Sequence, residues 1–413
     1  MNTRKCEGRF LPKIQRLQTM QTMTDQKKRD TALVDTHSAR RGNTHVRRSL
    51  GLAAASLALC LVAVPASASN WWSTTPSVSI GSKTINVRNA GAKGDGRHDD
   101  TRAFQAAINS LPSSGGTITV PAGTYMIDAL RSINLRSHVR LKMSSGAKLV
   151  AIPNSSQRSY VIKAWKVNNV EISGGAIVGE RAKHRGSSGE WGFGIDILAS
   201  SKVYVHDLKV SDCWGDGLYI GAMGKGSRAV KSTDVTVRNV VSNNNRRQGL
   251  SFGPVQRVYV VNSTFSNTHG TKPEAGIDIE PSTQGSAANI RIEGSHVTGN
   301  AGSGIEVQPH VSGVVVTSST IKGNKGFGVY TNAASNVSIA NNSITENWLF
   351  GVAMRSTTHD SKINNNKITY NSTRGFYAHH KSIYTLVSGP RDVEVMKSTR
   401  NIQVSGNTIS PKP

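Results

Sequence analysis

The chain has 413 residues, with 50 Lys and Arg against 25 Asp and Glu, a formal charge of +25. Charged residues make up only 18%, below the roughly 25% of an average soluble domain, so the positive balance comes from a shortage of acids. A hydrophobic content of 37% excludes a wholly disordered chain, and the basic balance selects polyanionic partners: nucleic acid, anionic membrane or acidic polysaccharide.

Residues 1–48 show scattered charge and no hydrophobic period. Arg47-Arg48 then precede an apolar run, Leu50 to Val64, followed by Pro65 and the small triplet Ala66-Ser67-Ala68. A positive flank, a short apolar core and an A-x-A site read as a secretory signal peptide cut near Ala68. The run is broken by Ser56 and is short for a membrane span, so a secreted or periplasmic mature protein without a membrane anchor is expected. This leader, residues 1–68, holds twelve basic and four acidic residues, which leaves +17 on residues 69–413. Cys6 and Cys60 leave with it. Cys213 then has no disulfide partner, and its strand-like surroundings predict a buried small hydrophobe.

Residues 69–413 read as one domain. Asp99-Asp100 can cap a helix that carries Phe104, Ala107 and Ile108 on one face. Asp95, Asp99 and Asp100 are accordingly turn and cap residues. The remainder is repetitive. KVYVHDLKVSDC (202–213), DVTVRNVVSNN (234–244), RVYVVNSTFSN (257–267), NIRIEGSHVTGN (289–300), GVVVTSSTIKGN (313–324), NVSIANNSITEN (336–347) and NIQVSGNTIS (401–410) share an alternating strand, a turn and a second short strand. About ten residues later a Gly opens a third strand, as in GIDIL (194–198), GLYIG (217–221), GLSFG (249–253), GIDIE (276–280) and GIEVQ (304–308). First apolar positions at Val203, Val235, Val258, Ile290, Val314 and Val337 are spaced 32, 23, 32, 24 and 23, a unit of 23–24 with two nine-residue insertions. Three short strands per unit predict an all-β, right-handed parallel β-helix, a solenoid whose open N-terminal end the helix covers. Asn243, Asn267, Asn300, Asn324 and Asn347 are expected at left-handed turn positions and in stacked hydrogen-bonded ladders.

The opening segment NVRNAGAKGDGRHDDTRAFQAAINS (86–110), followed by GGTITVPAGTY (115–125), resembles the start of the pectate-lyase-like β-helix superfamily. That superfamily includes polysaccharide lyases, alginate epimerases, polygalacturonase-related hydrolases and phage tailspikes. The resemblance implies the β-helix fold and a carbohydrate substrate, but the catalytic motifs carry over poorly. The segment nearest to the epimerases' Tyr-Gly-Phe-Asp-Pro-His run is CWGDGLYIG (213–221), which lacks Pro-His. The polygalacturonase set of paired Asp, Gly-His-Gly and Arg-x-Lys is absent apart from GDG at 215–217. Pectate lyases bind calcium-bridged substrate, yet no compact Asp/Glu set with calcium spacing stands here, so no cofactor is expected and calcium is the one alternative.

Insertions at 222–232, 269–275 and 281–288 flank the Gly-opened strand and would wall its outward face. Read in register, the outward column is Asp196, Tyr219, Ser251, Asp278, Glu306, Tyr330, Ala353 and Tyr377. The next outward position gives Glu280, Gln308, Asn332, Arg355 and His379, and Asp216 lies in the turn before Gly217. Carboxylates one coil apart raise one another's pKa, the condition for an acid beside a base. Asp216, Asp278, Glu280 and Glu306, with Arg247, are therefore the candidate catalytic residues. Asp196, Trp214, Tyr219, Arg246, His269, Lys272, Tyr330 and Arg355 are candidate substrate-binding residues, with Trp191 and Trp214 able to stack on sugar rings or to pack the walls. A net +17 suits a uronate-containing polysaccharide and slightly favours lyase or epimerase chemistry, which needs a cation on the substrate carboxylate, over hydrolysis by paired carboxyls. Non-catalytic glycan binding is the alternative outside enzymology. Nucleic acid is the weakest partner, since no basic helix and no aromatic-basic motif is present.

Overall fold

The structure is a computed structural model that describes residues 70–372 and 392–410. The leader and the column positions Tyr377 and His379 lie outside the described residues. Between residues 201 and 355 each coil of the solenoid carries a long strand, a short strand and a strand opened by Gly. One such coil runs Val255–Val261, Thr264–Ser266 and Ile277–Ile279. Each strand pairs in parallel with its counterpart on the next coil, Val258 with Ile290, Phe265 with Val297 and Ile277 with Ile305. The repeat positions Val203, Val235, Val258, Ile290, Val314 and Val337 are register partners in that order, so both insertions fall outside the ladder.

Period-two alternation turns Val, Ile, Leu and Phe inward on all three faces, where coils stacked at about 4.8 Å bury one continuous core. The helix Thr101–Asn109 buries Phe104, Ala107 and Ile108 against the N-terminal coils. Its cap differs from the sequence reading. Asp99 takes the Thr101 amide at 3.0 Å, whereas the Asp100 carboxylate turns away and accepts the Lys93 and Gly94 amides at 2.6 and 3.0 Å. Asp95 is a turn residue, accepting the Arg97 and His98 amides. Among the described residues no helix is long and apolar enough to cross a membrane.

The asparagine prediction divides in two. Asn300, Asn324, Asn347 and Asn371 form a buried ladder in which the side-chain oxygens of Asn324, Asn347 and Asn371 each accept the backbone and side-chain N–H of the preceding coil's asparagine. They are not the left-handed residues; those stand one position earlier, at Gly299, Gly323 and Glu346. Asn267 does adopt a left-handed φ of 56°, but Asn243 lies within a strand, Val241–Asn243, and the left-handed residue there is Asn244. The ladder therefore needs the second residue of the turn, whose amide points along the solenoid, while the first residue absorbs the bend.

Candidate active site

The Gly-opened strands hold the predicted column in unbroken register. Asp196 faces Tyr219, Tyr219 faces Ser251, Ser251 faces Asp278, Asp278 faces Glu306, and Glu306 faces Tyr330. The column extends one coil earlier, to Lys163 opposite Asp196, and its far end passes from Ala353 to Glu394. Outward position does not mean exposure here. Asp196 and Asp278 are each 1% exposed and Asp216 is fully buried, because side chains from neighbouring coils and the inserted turns close over them.

A hydrogen-bonded chain joins two of these acids. Arg247 donates to Glu190 at 2.8 Å, to Asp216 at 3.1 Å and to the Gln248 side-chain oxygen at 2.7 Å. Gln248 in turn donates to Asp278, and Ser251 donates to Asp216. Burial pushes the Asp216 carboxyl up to about 6, against the pull of Arg247 and Ser251. Asp278 stands well above the usual carboxylate range through burial and the nearby Glu306 and Glu280. Glu306 is also raised, by burial and then Glu280, although Ser303 and Gln308 bond its carboxylate. Carboxyls that differ in environment so close together can hold one proton and release another near neutral pH, which is general acid–base capacity.

Upstream of these acids a cavity of about 380 Å³ is lined by Arg158, Trp191, Phe193, Asp196, Tyr219 and Arg247 among others. Tyr219 stacks on Phe193 with ring centroids 5.2 Å apart, and burial raises its hydroxyl pKa. A Cβ added to Gly253 would lie 2.4 Å from the Tyr219 hydroxyl, so that ring occupies the space left by the glycine. Trp165 donates to one Asp196 carboxyl oxygen at 2.8 Å, and the other oxygen is buried without a partner. Burial pushes Asp196 up to about 7.

The remaining predicted residues divide by position. Glu280 is exposed on the cavity wall, beside the buried acids rather than among them. Trp214 has no free face for a sugar: the His184 ring stacks on one side at 3.8 Å, and the Arg246 guanidinium covers the ring at 3.8 Å. Arg246 also donates to the Gly189 carbonyl at 2.8 Å, so both residues pin the loop that presents Glu190 to Arg247. Lys272 is exposed and pairs with Glu274 at 2.7 Å, and exposed His269 bonds the Asn267 carbonyl. Arg355 pairs with Glu394 at 2.5 Å. Tyr330 stacks on Phe327, next in the column after Glu306. Cys213 is buried, and burial raises its thiol pKa, as befits a packing residue.

Gln248 and Glu190 were missed by the sequence reading. Gln248 occupies the slot just before a strand-opening Gly, the same slot as Asp216, and that coincidence was available as a signal. Glu190 left none, since it reaches the site from a loop outside the repeat. Among the described residues no three His, Cys, Asp or Glu side chains converge in a metal-binding arrangement.

Family models of a rhamnogalacturonase A/epimerase, pectate lyase-like domain and of a right-handed β-helix region match residues 84–268 and 273–409, in tandem. The chain folds as a right-handed parallel β-helix, and its residues 84–268 are similar to the pectate lyase-like model. An uncharacterized Bacillus subtilis protein, YclG, is 30% identical over 249 residues, which is 54% of this chain and 43% of that protein. An exo-poly-alpha-D-galacturonosidase of Dickeya chrysanthemi is 37% identical over 83 residues, 20% of this chain and 13% of the enzyme. The A-module of a mannuronan C-5 epimerase, AlgE6 of Azotobacter vinelandii, superposes with a TM-score of 0.59 at 18% identity, covering 80% of this chain and all of the module. This β-helix chain spans less than half the length of the first curated relatives it matches.

Proposed function

We propose that this β-helix protein is an exported enzyme that acts on a uronate-containing polysaccharide laid along the column from Asp196 to Glu306. One observation carries the reading: buried Asp216 and Asp278, two coils apart, are linked through Arg247 and Gln248, and half-buried Glu306 faces Asp278 from the next coil. Such a set is costly to bury and serves proton transfer.

The geometry favours hydrolysis over the lyase or epimerase chemistry that net charge alone prefers. A lyase or epimerase needs an uncommitted cation beside the reacting carbon and a group that ionises readily as base. Arg247 already faces Glu190 and Asp216, and burial moves Tyr219 away from phenolate. Hydrolysis needs a protonated carboxyl for the leaving oxygen and an ionised one for water, and Asp278 with Asp216 or Glu306 fits those roles. The local identity to a galacturonosidase supports the same class. Elimination or epimerisation is the second reading, favoured by Arg247 and Tyr219 lining one cavity.

The test is incubation with polygalacturonate, polymannuronate and polyguluronate. New reducing ends without an unsaturated chromophore are expected. Chromophore release would move the assignment to a lyase, and a changed uronate composition without cleavage to an epimerase. No change in any polymer would remove the enzymatic reading.

A further inference from the structure

We infer that the sheet of short strands, a flank of the solenoid separate from the Gly-opened column, is a second binding surface for the polyanion, seated in a hollow between Lys148 and Lys209. The uronate class of that polymer rests on the proposed function; the new element is where a chain is held outside the column.

Charge divides between the sheets. Of the twelve short strands only the first, Asp95–Asp99, contains an acid. The others carry Lys148, Lys209, Lys322 and Lys367, with His296. The Gly-opened strands and the turns before them hold Asp196, Asp216, Asp278 and Glu306 instead. A polyanion approaching this chain meets attraction undiluted by acids on the short-strand flank. Lys322 pairs with Glu346 at 3.0 Å, whereas among the described residues Lys148, Lys209 and Lys367 form no ion pair.

The hollow is built by the backbone. Ala176 is the register partner of Lys148 on one side and of Lys209 on the other, which sets the two lysines two strand spacings, about 10 Å, apart. Gly174 and Gly175 precede it at φ 78° and 62°. A Cβ on Gly174 would overlap the Met143 carbonyl oxygen, and one on Gly175 that of Ala147, so neither position admits a side chain. Three small residues in a row between two lysines leave a cavity of about 490 Å³, within the range of small-molecule sites. Buried Leu208 and Val241, 36% exposed, supply apolar contact for the C–H face of a pyranose. Asp207 is the acid on the rim, and its carboxylate is already committed. His206 Nδ1 stands 2.6 Å from it, and Asn239 and Arg238 donate to it at 2.8 and 3.3 Å. The two ammonium groups are left for two carboxylates of one chain, with a ring between them over Ala176. A neutral glycan would leave both unpaired.

Retention of the full chain on immobilised polygalacturonate, dextran and single-stranded DNA at low ionic strength tests the assignment. Wild type is expected to bind polygalacturonate and to pass dextran unretained. Lys148→Ala/Lys209→Ala should bind polygalacturonate about five-fold more weakly with its thermal transition retained, and Lys148→Arg/Lys209→Arg should bind as wild type. Lys83→Ala/Lys362→Ala removes the same charge from exposed positions on the long strands and should weaken binding less than about two-fold. Equal weakening in that control, unchanged affinity in Lys148→Ala/Lys209→Ala, or DNA binding as tight as uronate binding would overturn the assignment. So would a wild type that fails to bind polygalacturonate. Turnover of a uronan by a protein whose retention ignores both lysines would sink the surface alone. Retention that depends on Lys148 and Lys209, with no turnover of any uronan, would support the surface and sink the enzymatic reading alone.

Discussion

Asp278 lies directly opposite Glu306 on the adjacent coil, so two carboxyls face each other across one strand spacing of about 4.8 Å. Exposed Glu280, two residues from Asp278 on the same strand side, raises the proton affinity of both. Glu280→Gln removes that negative charge without touching the buried network. If protonated Asp278 is the general acid, its pKa falls in the variant, and the alkaline limb of the pH–rate profile moves to lower pH. Activity at acidic pH is retained. An unchanged alkaline limb would separate Asp278 from the step that limits the rate. Asp278→Asn, by contrast, removes the acid and is expected to lower kcat by at least 100-fold.

Asp196 ties stability to pH with a definite sign. Burial lifts its folded-state pKa to about 7 from the ordinary 3.8, so the folded protein holds a proton that the unfolded chain releases. The stabilisation is complete below the ordinary carboxylate range and is lost as pH rises from about 4 towards 7. Asp196→Asn has no such dependence. Thermal unfolding of the variant should match wild type near pH 4 and lie several degrees higher near pH 8. A variant less stable than wild type at the higher pH would show that the Asp196 carboxylate is held by groups that outweigh its burial.

The Gly253→Ala variant probes how the cavity wall is set. The added methyl group would meet the far end of the Tyr219 side chain, which can move, and no positive φ makes Ala unwelcome there. Stability should therefore change by less than about 1 kcal/mol, while Tyr219 is driven from its stack on Phe193. The expected result is a raised KM with an unchanged unfolding midpoint. Loss of stability without a kinetic change would assign Gly253 a purely structural role.

The column could be read from sequence because its strands alternate strictly and each opens with Gly, which fixes the register from Asp196 to Tyr330. The preceding coil could not be read in this way. Arg158–Trp165 has no opening Gly, and its pairing skips from Phe193–Tyr160 to Ile195–Ile162, so Lys163 drops out of a simple count. Trp214, able from its sequence to stack on a sugar or to pack the wall, packs the wall. Its two covering groups, His184 and Arg246, come from the coils on either side, and a tryptophan's sequence neighbours say nothing about which of its faces remains open. The scarcity of acids in the composition was informative once located, since Asp196, Asp216, Asp278, Glu280 and Glu306 gather on or beside one sheet face.

The asparagine ladder ties together the coils that carry Glu306, Tyr330 and Ala353, and Asn324 is its most informative member. Its side-chain oxygen accepts the Asn300 amide at 3.1 Å and the Asn300 side chain at 2.8 Å. Its side-chain nitrogen donates to Val297 O at 3.0 Å and to Asn347 at 2.9 Å. Asn324→Ala strands two buried donors of Asn300 and the Val297 carbonyl, at about 1–3 kcal/mol for each group that water cannot reach. A total loss of about 2–5 kcal/mol is expected, because relaxation lets some water in. In a solenoid each coil contacts only its neighbours, so the damage should stay local. Hydrogen exchange should accelerate in the coils around 297–324 and not in those around 139–172. An Asn324→Asp variant keeps the acceptor but loses the amide donor, as the natural end of the ladder at Asp392 does for Asn371. It should therefore recover part of the stability at neutral pH. Recovery equal to zero would mean that the donor half of the ladder, and not its acceptor, holds adjacent coils in register.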